Sequence, residues 1–404
     1  MCKQIRDQRP ICHLRKLLGK FGCTVHPEVG WGDNSGNKED LKSMNEKISR
    51  CFTQMFFYLA LSLAITGCSP SYVMKAGLAE LKILRSRRPI PEVILDTATP
   101  DKIRAKLLLV SGARKFASET LAMDVGTSYT TFTQLDRDTL ALVLSASPKD
   151  KLEPKTWWFP IVGRFPYRGF FDEDEALAEQ NKLKEEGFDT YLRPTSAFST
   201  LGWFSDPILS TVLSQNEIGV VETVLHELSH NHLFVKSQIN FNESFATFVG
   251  RTGTIEFFCK PPDFSPENVL CQQAQARLRD QKQFEAFFSR LIGDLQMIYQ
   301  NDDFSYSEKI IQRSKLFDQS LKYFTEKVQP SLRAISYQNF RTIPINNATL
   351  LAQMRYHTRL AEFDDLMEEQ GSLRATIAYI KRNLDSEKDA FSLLGKETSI
   401  EIDE

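Results

Sequence analysis

Residues 225–244 read LHELSHNHLFVKSQINFNES and hold three of the six histidines of the chain, His226, His230 and His232, together with Glu227 and Glu243. On a helix His226 and His230 stand at i and i+4, so their rings project from one face a single turn apart. That spacing lets two imidazole nitrogens reach one zinc ion at about 2.0–2.1 Å. Glu227 is rotated off that face, close enough to touch a water on the ion without filling a coordination position. Zinc brings the pKa of such a water to about 7, and a neighbouring carboxylate can take its proton as it attacks a carbonyl. The apolar residues just before His226, Val220, Val221, Val224 and Leu225, predict a buried helix rather than a solvated polar turn.

A catalytic zinc needs a third protein ligand and an open position. The extended three-histidine pattern fails, because Leu233 and Lys236 stand where glycine and histidine would be required. An acidic residue from a following helix is the other option. Asn242 is a good N-cap, and Phe241, Phe245, Phe248 and Val249 form an apolar stripe, so a second helix is expected to open beside Glu243. The first helix is expected to run about two turns past His230 before the chain returns through Ser237. Glu243 then faces the histidines. Glu222, one turn before His226, is a poorer ligand, since three successive i+4 positions spread too far along one helix; it is expected near the ligands rather than among them. A di-iron site would need a second E-x-x-H, and neither His232 nor His357 has a glutamate three residues before it. His232 lies well around the helix from the pair and reads as structural.

Composition is that of an ordinary globular protein: 404 residues, 42% apolar, 25% charged and 29 phenylalanines, enough for a sizeable core. With a formal charge of −2, nothing points to nucleic acid or to an anionic membrane surface as partner. The seven cysteines include no C-x-x-C pair, which argues against a zinc ribbon or a thioredoxin-type site.

From Met44 the chain reads MNEKISRCFTQMFFYLALSLAITGCSPSY. Lys47 and Arg50 precede an apolar run, Phe56 to Ile65, that is shorter than the roughly 20 residues a membrane span needs. It has the length and flanks of a secretory signal, and its end, Ile65-Thr66-Gly67-Cys68, resembles the lipobox of bacterial lipoproteins. Cys68 is then the lipidated residue and the anchor to the membrane. Met44 is the expected start, with residues 1–43 as over-called upstream sequence. Ser69 rather than aspartate follows the cysteine, which resembles an outer-membrane address on a periplasm-facing lipoprotein of a Gram-negative bacterium. Cys259 and Cys271 remain; they could bridge in an oxidising compartment, and spacing alone leaves their pairing open.

The expected fold is α+β: a mainly helical zincin-like domain with a small β–α–β subdomain. Residues 44–67 form the signal peptide and 68–156 a mostly helical N-terminal region. Residues 157–219 form a small α/β module, in which WWFPIVGRFPYRGFF and FDTYLRPTSAFST flank a charged helix ended by Gly187. Residues 220–386 form the helical zinc-site domain and 387–404 a polar tail.

Several stretches carry a family resemblance: ITGC at 65–68, GLAELKILRSRRPI, TWWFPIVGRFPYRGFFDEDEA, STLGWFSDPILST, HELSHNHLFVKSQINFNESFATFVG and NNATLLAQMRYHTRLAEFDDL. In these the chain resembles a bacterial family of predicted zinc aminopeptidases, mostly proteobacterial lipoproteins, from the lipobox to about residue 385. The resemblance implies one Zn²⁺ held by His226, His230 and Glu243, Glu227 as catalytic base, and a peptide substrate. His232 departs from the usual zincin pattern, which prefers an apolar or small residue there. Thr247 stands where thermolysin-like enzymes carry an acidic residue, so the support around the ligands must differ.

Zincins bind peptide by strand addition beside the motif helix. Residues 199–204 are the natural edge, with Gly202 permitting close backbone approach and Trp203 beside it as substrate-binding candidates. The developing oxyanion needs a donor. Tyr356, with His357 beside it in a helical motif, is the first candidate, and Tyr167 with Arg168 the second. A degenerate zincin fold acting as a binding or assembly lipoprotein is the alternative; the intact Glu227 disfavours it.

Overall fold

The computed structural model describes residues 81–136, 139, 141–159, 163–195, 206–260, 268–385 and 388–395. The chain divides into two units, 1–73 and 74–404, and every described residue lies in the second. The expected signal peptide, the lipidation residue Cys68 and the candidate edge with Gly202 and Trp203 lie outside the described residues. Among the described residues no helix is long and apolar enough to cross a membrane.

The fold is α+β and mainly helical. In chain order the elements are β1 (Arg88–Pro89), α1 (Ile90–Leu95), α2 (Asp101–Glu119), β2 (Thr131–Thr133), β3 (Ala141–Ser147), β4 (Trp157–Phe159), β5 (Gly163–Phe165) and β6 (Arg168–Phe170). Then come α3 (Glu173–Glu185), β7 (Asp189–Thr195), β8 (Ile208–Leu209), α4 (Ser210–Leu213), α5 (Glu217–His232), α6 (Ile239–Cys259) and α7 (Val269–Gln300). After α8 (Tyr306–Tyr323) come α9 (Gln338–Thr342), α10 (Asn347–Met354), α11 (Leu360–Gln370) and α12 (Leu373–Asn383).

The strands form small sheets. β3 pairs antiparallel with β6 on one side and β7 on the other, so β6–α3–β7 is a β–α–β unit with β3 inserted between its strands. Asp172 caps α3 by accepting from the Glu175 amide at 2.9 Å, and Gly187, at φ +89°, lets the chain leave the helix. Leu144, Ala146, Phe170, Ala176 and Leu183 form the core between α3 and this sheet. A second sheet orders β1–β2–β8, and β4–β5 make a hairpin.

The main core lies among α2, α5, α6, α11 and α12. Val220, Val221, Val224, Leu225 and Leu228 of α5 are fully buried there, as are Phe245, Phe248 and Val249 of α6. Burying each large apolar side chain contributes about 1.5–3 kcal/mol, so this interface alone can fix how the two helices sit. Asn216 caps α5, accepting from the Gly219 amide at 2.9 Å. Buried Lys106 of α2 donates to the carbonyls of Leu213, at 2.7 Å, and Gln215, which ties the start of α5 to the core. A disulfide joins Cys259, at the end of α6, to Cys271 on α7.

Two expectations about the α5–α6 connection fail. α5 ends at His232, not two turns past His230, and α6 begins at Ile239, so Asn242 is not its N-cap. The reason is one interaction. The buried Asn242 side chain accepts from the Val235 amide at 2.8 Å and donates to the Val235 carbonyl at 2.7 Å. It holds the returning loop like a strand partner, which is a stronger use of an amide than a cap.

Candidate metal centre

His226 and His230 project from α5 with ring centroids 5.0 Å apart. Glu243, in the first turns of α6, meets both. Its Oε2 lies 3.3 Å from His226 Nε2 and 3.7 Å from His230 Nε2. Two ligand atoms on one tetrahedral ion with bonds of about 2.0–2.2 Å lie about 3.3–3.6 Å apart, so the trio has the spacing of three ligands of one metal. One ligand atom from each residue falls within 4.8 Å of the other two, and His230 is buried while His226 and Glu243 are partly so. The donor set, two imidazoles and a carboxylate, suits zinc-like ions rather than calcium or magnesium.

Burial opposes charge on Glu243, yet the adjoining imidazoles of His226 and His230 outweigh it and hold the carboxyl far below its usual range. Burial likewise pushes the His226 pKa down, but the Glu243 hydrogen bond and the charges of Glu227 and Glu222 together raise it. The cluster is thus an electrostatically negative pocket that favours a cation.

Glu227 is half-buried on the neighbouring face of α5. Among the described residues its carboxylate has no hydrogen-bond or ion-pair partner. Its charge nevertheless bears on His226, Tyr356 and Tyr129. Tyr129 is buried, and its pKa stands well above the ordinary value because of burial and then the charges of Glu227 and Asp206. Glu222 turns away from the trio: Arg277 and Gln281 of α7 hold it, the amide of Gln281 at 2.8 Å. His232 accepts from the Asp124 amide through Nδ1 at 2.8 Å; burial and the Lys381 charge push its pKa down to about 4.

Tyr356 is brought to the trio, its ring centroid 6.1 Å from that of His226. It lies not in a helix, as expected, but in the turn that follows α10. That turn is fastened to α6 by the residue next to Glu243. The buried Ser244 hydroxyl donates to the Arg355 carbonyl at 3.3 Å and accepts from the Thr358 amide at 3.2 Å. The Glu243 charge, followed by burial, raises the Tyr356 pKa, so the phenol keeps its proton. Tyr167 is close enough for Glu243 to add to the effect of burial on its pKa, which is raised. Arg168 points elsewhere, pairing with Glu179 at 3.8 Å and lying over Phe170 at 5.0 Å.

Sequence reading missed two residues at this place. Arg193 of β7 donates to the Tyr356 hydroxyl at 3.4 Å. Arg355 lies over the Tyr167 ring at 5.1 Å and donates to Ser145 at 3.2 Å. The only sequence signal was that Arg355 precedes Tyr356.

No curated protein and no solved structure matches the chain. The family model described as "Putative aminopeptidase" matches residues 71–390, most of the chain. That span contains α5, α6, β7 and the turn at Tyr356, every described element of the centre, and the chain therefore belongs to this aminopeptidase family.

Proposed function

We propose that the protein is a zinc-dependent peptidase, an aminopeptidase by family, in which His226, His230 and Glu243 hold one Zn²⁺ and Glu227 is the general base. The observation that carries this reading is the convergence of two imidazoles and a carboxylate, with Glu227 half-buried on the neighbouring face of α5 and, among the described residues, without a hydrogen-bond or ion-pair partner. Zinc, when bound, supplies a Lewis acid that makes water more acidic and a peptide carbonyl more electrophilic.

The side chains supply the rest. Glu227 takes the proton of the attacking water and returns it to the departing amine, a role suited to a carboxylate next to the ligands but outside their set. Tyr356 donates its phenolic proton to the oxygen on which charge develops. Arg193, by donating to the Tyr356 oxygen, orients that phenol. Gly202 and Trp203 are the candidates for binding the peptide by strand addition. Cys68 carries the lipid that holds the protein to a membrane, with the enzyme facing the periplasm; Cys68→Ser should leave the precursor unprocessed.

The test is metal analysis of protein purified without chelator, together with two variants. One equivalent of zinc is expected, and Glu227→Gln should abolish peptide hydrolysis with zinc retained, whereas Glu243→Ala should lose the metal. Less than about a tenth of an equivalent in the unaltered protein would favour a binding module instead.

A further inference from the structure

Among the described residues the two arginines beside the metal trio have no carboxylate partner. Elsewhere in the protein buried arginines obey the usual rule: Arg251 pairs with Glu285 and Asp364, and Arg313 with Asp189. Arg355 is 3% exposed, and its Nε, like those of Arg251 and Arg313, has no hydrogen-bond partner among the described residues. Its contacts are a serine hydroxyl and the face of Tyr167. Arg193, half-buried, has the Tyr356 hydroxyl. Among the described residues neither belongs to an ion pair. Burial and the Arg193 charge both work against the charge on Arg355, which an added anion would support. The Glu243 charge favours Arg355, but Glu243 is committed to the two imidazoles, and a divalent ion there would leave the site with an excess of positive charge.

The place of these cations defines where an anion would sit. A single side chain, Tyr356, stands between His226 on one side and Arg193 on the other. One residue of extended peptide spans about 3.3–3.6 Å, so a group held by Arg193 belongs about one or two residues from the bond presented to the trio. A guanidinium favours a carboxylate there, which it can bind through two nitrogens. An aminopeptidase site that recognised only the substrate's ammonium would call for carboxylates at this position, and it has the opposite charge.

We propose that Arg193, backed by the charge of Arg355, is a carboxylate-binding subsite, and that the favoured substrates are short peptides bearing a carboxylate on the residue just past the scissile bond. The carboxylate is either the free C-terminus of a dipeptide or the side chain of aspartate or glutamate. This rests on the zinc-peptidase reading above.

The experiment uses two random dipeptide libraries, one with free C-termini and one amidated, digested by the zinc-loaded protein and read by mass spectrometry. Free acids are expected to be cleaved at least about tenfold faster than amides with a neutral second residue, the effect of one charge-assisted hydrogen bond. Amides with aspartate or glutamate second should match the free acids if a side chain can also supply the carboxylate, and lag with the other amides if only the C-terminus does. Arg193→Gln should collapse the preference toward unity, and Arg193→Lys should restore part of it, with zinc content unchanged in both. Equal cleavage of acids and neutral amides, or a preference that survives Arg193→Gln, overturns the subsite and leaves the peptidase standing. Because Arg193 also orients Tyr356, the readout is the acid-to-amide ratio: a loss equal on both libraries leaves that ratio unchanged and overturns the subsite. Zinc-loaded protein that cleaves neither library refutes the peptidase reading, and the subsite falls with it.

Discussion

Gly250 of α6 lies against His226 of α5. A Cβ at position 250 would stand 2.9 Å from the Glu222 carbonyl oxygen and 3.3 Å from the His226 Cβ. The first distance is to backbone and cannot be relieved by a rotamer change, so the two helices approach as closely as they do only because this residue is glycine. Glu243 lies two turns earlier on the same helix, and its distance from the two imidazoles is set by that approach. Gly250→Ala should therefore push the helices apart, destabilise the protein by about 1–3 kcal/mol and weaken zinc binding about tenfold or more. Thermal melts and competition with a chromogenic chelator measure the two effects. Unchanged zinc affinity in a destabilised variant would mean that the helix spacing does not set the ligand geometry.

Ser244 joins Glu243, the proposed metal ligand, to the turn of Tyr356. Removing its hydroxyl leaves the Arg355 carbonyl and the Thr358 amide without their partner in a fully buried place. Ser244→Ala should reduce stability by about 1–3 kcal/mol. More tellingly, it should lower kcat while zinc content stays at one equivalent, since the change releases the Tyr356 turn and not a ligand. A variant with full kcat would show that the turn is held by its other contacts.

The sequence made the centre of this site legible and left its surroundings hidden, for a physical reason. His226, Glu227 and His230 share one helix, where spacing alone specifies geometry. Glu243 could be found because the next helix has an apolar stripe that dictates which face is buried. Arg193 and Arg355 come from a strand and a turn that only tertiary packing brings together, and no local pattern relates them. The same holds for β3, whose pairing with both β6 and β7 is non-local. The early end of α5 was missed because Asn242 offered two plausible roles, and its bonds to Val235 decide between them only once the loop is folded.

A buried network behind the site predicts a pH dependence. Glu285 of α7 accepts from Arg251 at 2.9 Å and lies 3.5 Å from His357 Nδ1. Burial would raise its pKa, but the His357 hydrogen bond and the Arg251 charge outweigh burial and lower it below the ordinary 4.5. A depressed carboxyl stabilises the fold above its unfolded pKa, and the contribution disappears as pH falls through the folded value. Glu285→Gln should thus destabilise by about 2 kcal/mol at neutral pH, less than a fully broken buried pair because Asp364 still holds Arg251. The difference from the unaltered protein should shrink as pH drops below 4.5. Denaturant titrations across that range check it, and a difference constant with pH would contradict the ion pair.

Asn242 tests the connection between the two ligand-bearing helices. Asn242→Asp keeps the shape but replaces the donor that meets the Val235 carbonyl with a second acceptor. The variant should lose about 2–3 kcal/mol, since a buried acceptor is then left facing another. It should also show a larger rise in amide exchange at Val235, in the loop, than within α5 and α6. Exchange that quickens uniformly would mean that the whole pair of helices, rather than the loop, opens.

Tyr356 presents a phenol with its proton retained and its oxygen already occupied as an acceptor. Arg193 donates to that oxygen, so the phenolic hydrogen is directed away from the guanidinium and remains available. The Glu243 charge and burial both oppose ionisation, which keeps the group a donor throughout the range in which a zinc peptidase would work. A hydrogen bond of this kind gains strength as negative charge builds on the carbonyl oxygen, so it acts on the transition state more than on the bound peptide. Tyr356→Phe removes the hydroxyl and nothing else. It should lower kcat by about a hundredfold or more, with KM little changed and zinc fully retained. Tyr167→Phe, one position further from His226 by its contacts, should have a smaller effect. If the two losses were reversed, Tyr167 would be the donor and Tyr356 its support; if both variants kept nearly full kcat, the developing charge would be met by a backbone amide.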